Sequence, residues 1–450
     1  MYALVVQIVE IRLEGIRGFP SRNRAVSLSF ARRDGSLPRW IVIAGRNGAG
    51  KSTFLQATAI AIAGPSVARL LAETFSSWIR DEESSARAAV KLRFCDEDGF
   101  TAGRKPAFEP WAAMEWERVD GPEPTMTKAA VGGNWTPFRG PWAENPRGWF
   151  TAGYGPFRRL SPAPTEAQRL MMSPGRPAAL ASLFREDASL SESVVWLQQI
   201  YLRRLEGRPE ASAVEQLVLK LLDDGLLPEG MRVEKVDSDG LWVRTPDGRS
   251  LALAHLSDGY RTVAGLVLDL IKQLASAFGS VKYEEDSHGH VRILHEGVVF
   301  IDEIDVHLHI EWQKRIGFWL KDHFPLMQFI VTTHSPFICQ AADEGGLVRL
   351  SPAWEDNAGA EVLTGEDFNR VVHGGADEAV LTDLFGLDSV LSESTQDARR
   401  RLAEIEAAAL TRELTPGEQE TLAVLRGQVP TSQSDRAVQI LMMHDRRGDS

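Results

Sequence analysis

Trp40-Ile41-Val42-Ile43-Ala44-Gly45-Arg46-Asn47-Gly48-Ala49-Gly50-Lys51-Ser52 decides the fold. Its first five residues are a continuous apolar run, the pattern of a strand covered on both faces. The next eight fit G-x-x-x-x-G-K-[ST] in full. A helix is expected from about 51 to 62, ended by Gly64-Pro65. Strand, Gly-rich turn and helix in this order are the context in which the pattern binds phosphate. Glycines let backbone amides curl around an anion, and the helix N-terminus adds its positive dipole. Gly45, Arg46, Asn47, Gly48, Ala49, Gly50, Lys51, Ser52 and Thr53 are therefore the candidate cradle for ATP. Lys51 is expected to reach the β- and γ-phosphates and Ser52 to ligate Mg²⁺.

Three more segments follow. Val298-Val299-Phe300-Ile301-Asp302-Glu303 is an apolar strand ending in two acids. Adjacent acids at a buried strand end are costly without a cation. Asp302 is expected to hold Mg²⁺, and Glu303 to polarise an attacking water. Leu256-Ser257-Asp258-Gly259-Tyr260-Arg261 reads by itself as a Ser/Asp helix cap, yet Ser257 lies 45 residues before Asp302. His334 follows a strand expected at 328–332, in Thr332-Thr333-His334-Ser335-Pro336, 32 residues after Asp302.

The order phosphate loop, LSxG, IDE, TTHSP resembles that of ABC-type ATPases. Ile301-Asp302-Glu303-Ile304-Asp305-Val306-His307-Leu308-His309 matches an IDE-x-x-x-HLH pattern. That pattern is similar to the SMC/RecF-like branch, nearest the soluble AAA-family ATPases of prokaryotic anti-phage defence, such as the Septu, PARIS and retron-associated types. The likeness covers about 8–55 and 255–337, with a weaker match between. It implies an α/β fold: an ABC-type P-loop NTPase with a mixed sheet, an inserted β-containing side lobe and a helical C-terminal region. It also implies roles. Glu303 is the general base, His334 the switch histidine on the γ-phosphate, and Asp305 sits where the D-loop would be. Ser257 and Gly259 resemble signature residues, which bind the γ-phosphate held by the opposite subunit. The implied assembly is a head-to-tail homodimer, or a higher homo-oligomer, sandwiching ATP. Its implied activity is hydrolysis of ATP to ADP and phosphate.

The chain departs from the family pattern in places. Asp258 stands where Gly or Ser is frequent, and it would repel a phosphate unless it faced away. No Q-loop glutamine is visible. Thr151-Ala152-Gly153-Tyr154-Gly155-Pro156-Phe157-Arg158-Arg159 stands in its place. Arg158 or Arg159 either reaches phosphate or nucleic acid or forms a surface basic pair beside a turn. Phe19 and Arg17 are the candidates for adenine.

The rest of the sequence bounds the reading. At 450 residues the length suggests about three structural units. Hydrophobic residues at 43% and charged residues at 25% exclude a disordered, collagenous or disulfide-scaffold chain. Cys95 and Cys339 are its two cysteines, which suits a reducing cytoplasm. The net charge of −12 excludes bulk electrostatic coating of nucleic acid. No apolar run reaches the roughly 18 residues of a membrane span, and the first residues read as a strand, not a signal peptide. His307, His309 and His334 lack the further ligands of a transition-metal site. Asp237 and Asp239 read as a hairpin turn. The expected divisions are 1–65 with the phosphate loop, 66–164 as side lobe, 165–230 helical, 231–350 with the later motifs, and 351–450 mostly helical.

No nuclease motif stands out, so an effector nuclease is expected to be a separate protein, with DNA or a phage protein as trigger. The C-terminal helices, about 397–425, are either its docking surface or a cap on the chain's own core. A RecF/SMC-like DNA repair or maintenance ATPase is the alternative function.

Overall fold

The computed structural model describes residues 6–428 except 22–24, 73, 96–97, 102, 122, 129–135, 145, 159–164, 173–174, 228–229, 353, 356–358 and 388. Arg159 and the tail from 429 lie outside the described residues. Two compact units are present, Met1–Gly386 and Leu387–Ser450.

The strands of the first unit are β1 (Gln7–Glu14), β2 (Val26–Ser29), β3 (Trp40–Ala44), β4 (Ser85–Arg93), β5 (Trp111–Glu117), β6 (Thr125–Lys128) and β7 (Thr151–Tyr154). They continue as β8 (Arg232–Asp237), β9 (Gly240–Arg244), β10 (Ser250–Ala252), β11 (Tyr283–Glu285), β12 (Val291–Ile293), β13 (Gly297–Ile301), β14 (Met327–Thr333), β15 (Leu347–Leu350) and β16 (Ala360–Val362). The central sheet has the order β16-β15-β3-β14-β13-β7. All its pairings are parallel except β16 with β15, so the sheet is mixed as expected. A second sheet, β2-β1-β4-β5-β6, is antiparallel throughout.

Period-two alternation places the core. In β3, Ile41 and Ile43 face one apolar cluster, whereas Trp40, Val42 and Ala44 face the other. Val298 and Phe300 of β13 divide from Val299 and Ile301 in the same way. On the first face lies the helix Lys51–Ala63, with eleven buried residues, packed between the two sheets. A helix apolar all round suits such a place. On the second face lie the helices Asp258–Phe278 and Ile310–His323.

One buried side chain joins the sheets. The β1–β4 ladder shifts register between Ile8, which pairs with Leu92, and Glu10, and there the backbone N–H and C=O of Ile8 both bond to a side chain of the central sheet. Gln328 of β14, fully buried, serves both: its Oε1 accepts from Ile8 N at 2.7 Å and its Nε2 donates to Ile8 O at 3.3 Å.

Residues 66–164 contain strands, as expected, but these are shared out. β4, β5 and β6 extend the sheet that β1 begins, and β7 forms an edge of the central sheet. The Trp-, Pro- and Gly-rich composition there marks edge strands and long connections. The boundaries expected at 65, 164 and 230 all fall inside the first unit. Asp237 Oδ1 accepts from Asp239 N at 2.9 Å within the β8–β9 hairpin, the expected turn. His307 and His309 lie in a turn, not on a strand; His309 caps the helix Ile310–His323. The second unit contains the helices Glu393–Thr411 and Pro416–Gln428. Among the described residues no helix is long and apolar enough to cross a membrane.

Candidate nucleotide site

β3, β13 and β14 run parallel, so their C-terminal ends share one edge of the central sheet. That edge receives the phosphate loop after β3, Asp302 and Glu303 after β13, and His334 after β14. The topology thus joins segments that the sequence keeps about 250 and 30 residues apart.

The loop is built for an anion. Gly50 caps the helix Lys51–Ala63 with φ +88°, a left-handed conformation that favours glycine, and no side chain caps the helix. Its first amides therefore stay open to a ligand. Lys51 is buried, and its Nζ donates to Gly45 O at 3.0 Å and Arg46 O at 3.2 Å. Burial lowers its pKa, opposed by Glu303, Asp302 and Asp305. An ammonium turned back on its own loop has only carbonyls to give up for a phosphate. Arg46 instead donates to Gly386 O at 3.0 Å and sits 3.6 Å from Glu355, so its side chain is tied away from the cradle. Asn47 is exposed, and Thr53 is buried.

The acids form a tensioned turn. Asp302 is buried, and Thr332 Oγ1 donates to its Oδ1 at 2.5 Å. The same hydroxyl accepts from Glu303 N at 2.7 Å. Glu303 has φ +45°, a conformation that costs a non-glycine residue about 1 kcal/mol or more. It is held from the other side by Arg158, whose guanidinium donates to Gly155 O at 2.8 Å, Asp302 O at 2.7 Å and Glu303 O at 3.0 Å. Burial pushes Arg158 down to about 10, against the pull of Asp302, Asp305 and Glu303. Both readings of Arg158 are therefore corrected: it is neither a surface cation nor free to reach phosphate. It clamps the acidic turn from beneath.

The Glu303 carboxyl is half-exposed and its pKa is raised by desolvation, then by Asp302 and Asp305, with Lys51 and Arg158 pulling the other way. His334 is exposed; desolvation and Lys51 lower its pKa, opposed by Asp305 and Asp302. Lys51, Asp302, Glu303, Asp305 and His334 thus form one electrostatic group. Thr333 Oγ1 donates to Asp305 Oδ1 at 2.5 Å and holds that carboxylate in place.

Ser257 begins the helix Asp258–Phe278 with an extended backbone and makes no side-chain cap bond. Among the described residues no hydrogen bond joins it to the phosphate loop. Gly259 lies so close to the turn after Glu303 that a Cβ there would sit 2.6 Å from His307 O. Asp258 is exposed and ion-paired to Arg261. That pairing screens the acid flagged as a departure.

One adenine candidate and one residue the sequence reading missed touch the loop. Phe19 is buried against Gly50 and supports the loop from below, whereas Trp354 lies over Gly48 with 71% of its surface exposed. Arg17 stacks on Trp78, 5.0 Å from ring centre to guanidinium. A lone Trp in the Pro- and Asp-containing stretch after β15 is the signal that was available.

An ATP phosphate chain and Mg²⁺ fit these residues: an uncapped helix start, a buried lysine and a buried carboxylate share one sheet edge. Residues 184–340 match the model of the family described as "AAA domain, putative AbiEii toxin, Type IV TA system". The chain is similar, over part of its length, to ATPases of prokaryotic defence systems. It is 30% identical over 190 residues to the Septu protein PtuA of Bacillus thuringiensis, which is 41% of this chain and 45% of that one. It is 38% identical over 101 residues to the "Retron Ec83 probable ATPase" of Escherichia coli, 22% of this chain and 17% of that one. The matches thus span less than half of either relative. Among solved structures it overlaps an SMC head bound to the C-winged helix domain of ScpA, at 17% identity and TM-score 0.47, over 80% of this chain and 98% of that one. The phosphate loop between β3 and the helix Lys51–Ala63, on the parallel strands of the central sheet, is the fold of a P-loop NTPase.

Proposed function

We propose that the chain binds ATP at the β3 loop and hydrolyses it, acting as an ATP-gated dimer in the cytoplasm. The observation that carries the reading is the convergence of Lys51, Asp302, Glu303 and His334 at one sheet edge. In this reading the loop amides and Lys51 hold the β- and γ-phosphates. Ser52 and Asp302 would hold Mg²⁺, which when bound neutralises phosphate charge. Glu303 accepts a proton from the attacking water, and its raised pKa brings it closer to the working pH. His334, its pKa lowered by desolvation and Lys51, faces the γ-phosphate. Ser257 and the amides beside Gly259 serve the nucleotide of a second copy; among the described residues no side chain caps this helix start.

The likeness to a Septu protein and to a retron ATPase supports a regulatory subunit of anti-phage defence that controls a separate effector nuclease. The exposed helices Glu393–Thr411 and Pro416–Gln428 are then the docking surface, with one buried residue between them, Leu425. The test is phosphate release from ATP by the purified chain, paired with phage plaquing on cells that carry it with its neighbouring genes. Turnover above a Lys51→Ala control, with protection lost in that variant, supports the proposal. Turnover equal to the control removes it. Turnover without protection, stimulated by DNA ends or gaps, moves the chain to the DNA-maintenance reading.

A further inference from the structure

A second cluster lies at the opposite, entry end of the central strands. Asp224 follows the helix Pro209–Asp223, His290 precedes β12, and His323 ends the helix Ile310–His323 just before β14. Their donor atoms all lie within 4.8 Å of one another. Asp224 Oδ2 is 2.8 Å from His290 Nδ1 and 3.1 Å from His323 Nε2.

The non-ligating atoms are already committed. His323 Nδ1 lies 2.9 Å from Trp319 O, a carbonyl that can only accept, so this nitrogen carries the proton. Its Nε2 then turns a lone pair towards the Asp224 carboxylate. His290 Nε2 lies 3.0 Å from Asp322 Oδ2, which is in turn part of a carboxylate 3.7 Å from Arg292. Asp224 is fixed through its backbone, because Trp319 Nε1 donates to Asp224 O at 2.7 Å. Trp319 also stacks on His323, with ring centres 4.0 Å apart. A His323 ring whose far nitrogen is fixed by a carbonyl, a second imidazole, and one carboxylate shared by both resemble the outer-shell arrangement of a metal site.

Two lone-pair groups facing across 3.1 Å need a proton or a cation between them. Tetrahedral bonds of about 2.0–2.1 Å set ligand atoms about 3.3 Å apart. The two separations to Asp224, 2.8 and 3.1 Å, reach that with shifts of a few tenths of an ångström, and all three donor atoms lie within 4.8 Å.

We propose that Asp224, His290 and His323 bind a borderline divalent transition-metal ion of the zinc class. Imidazole donors select such ions over Mg²⁺. The ion would join three segments far apart in sequence and anchor the end of the helix that starts directly after the Asp305–His309 turn. It is separate from the nucleotide site, so it is tested without ATP or Mg²⁺.

The experiment uses the full chain, freed of any affinity tag and stripped with a chelator, titrated with ZnCl₂ and in parallel with CoCl₂. Expected are one zinc per chain by elemental analysis, an unfolding midpoint raised by about 5 °C, and a visible cobalt spectrum of nitrogen and oxygen ligands. His290→Gln and Asp224→Asn should each lose the stoichiometric zinc and the midpoint shift, while melting in chelator like the parent. No zinc retained by the parent, or equal binding by parent and both variants, overturns the proposal. If a variant melts early even in chelator, the cobalt spectrum of the parent decides: a spectrum free of imidazole nitrogen overturns it.

Discussion

Glu303 is where strain, charge and chemistry meet. Its left-handed backbone persists because Thr332 holds its amide and Arg158 its carbonyl. Glu303→Gln keeps the shape and removes the base, so ATP should still bind while turnover falls about 100-fold or more; single-turnover phosphate release measures it. Glu303 must be ionised to accept a proton, and its pKa is raised, so activity should fall as pH drops at values above the ordinary glutamate range near 4.3. A kcat profile whose acid limb lies at or below that value would detach the rate from this carboxyl. Lys51→Ala removes a charge-assisted contact and should weaken ATP affinity on the order of 100-fold, read by titration calorimetry. The phosphate loop, the acid pair and His334 were legible because each is a short contiguous motif. Arg158 was not, because its partners are carbonyls up to 146 residues away, and carbonyls have no sequence signature. Arg158→Met leaves those acceptors buried without donors. It should cost about 2–4 kcal/mol in a denaturant melt and lower kcat more than it changes KM.

Among the elements, the central strands were legible because burial on both faces leaves a continuous apolar run. β3 runs Trp40–Ala44, as the sequence predicts, and β14 extends the expected 328–332 by one residue at each end. The edges were not legible. β7 has four residues, including a glycine, and was read as a motif-bearing loop; β10, β11, β12 and β16 have three residues each, too few to show alternation. Their positions are set by tertiary pairing, not by propensity. The join between the sheets was hidden too. Gln328 reads as one polar residue at the start of an apolar strand, yet it satisfies both backbone groups of Ile8 at the β1 irregularity. Gln328→Leu keeps the volume and removes the partners. A loss of about 2–4 kcal/mol is expected from urea melts, whereas a neutral result would mean that the Ile8 backbone groups find other partners.

For the whole molecule, one chain gathers the proposed phosphate-side residues and leaves the proposed signature residues without a hydrogen-bonded cap. Lys51, Asp302, Glu303 and His334 lie at one edge, while Ser257 starts a 21-residue helix whose first amides have no side-chain cap. A helix start left open beside an exposed serine is an anion site in search of an anion. In the proposed dimer, a second copy turned head to tail would supply it. ATP would then be the joint between copies, and hydrolysis at Glu303 would release it. The most direct measurement is the mass of the Glu303→Gln chain in solution by light scattering, with and without ATP and Mg²⁺. The account predicts growth to about twice the starting mass only when both are added, abolished by Ser257→Arg. A monomer whose mass does not change on saturating ATP would contradict it.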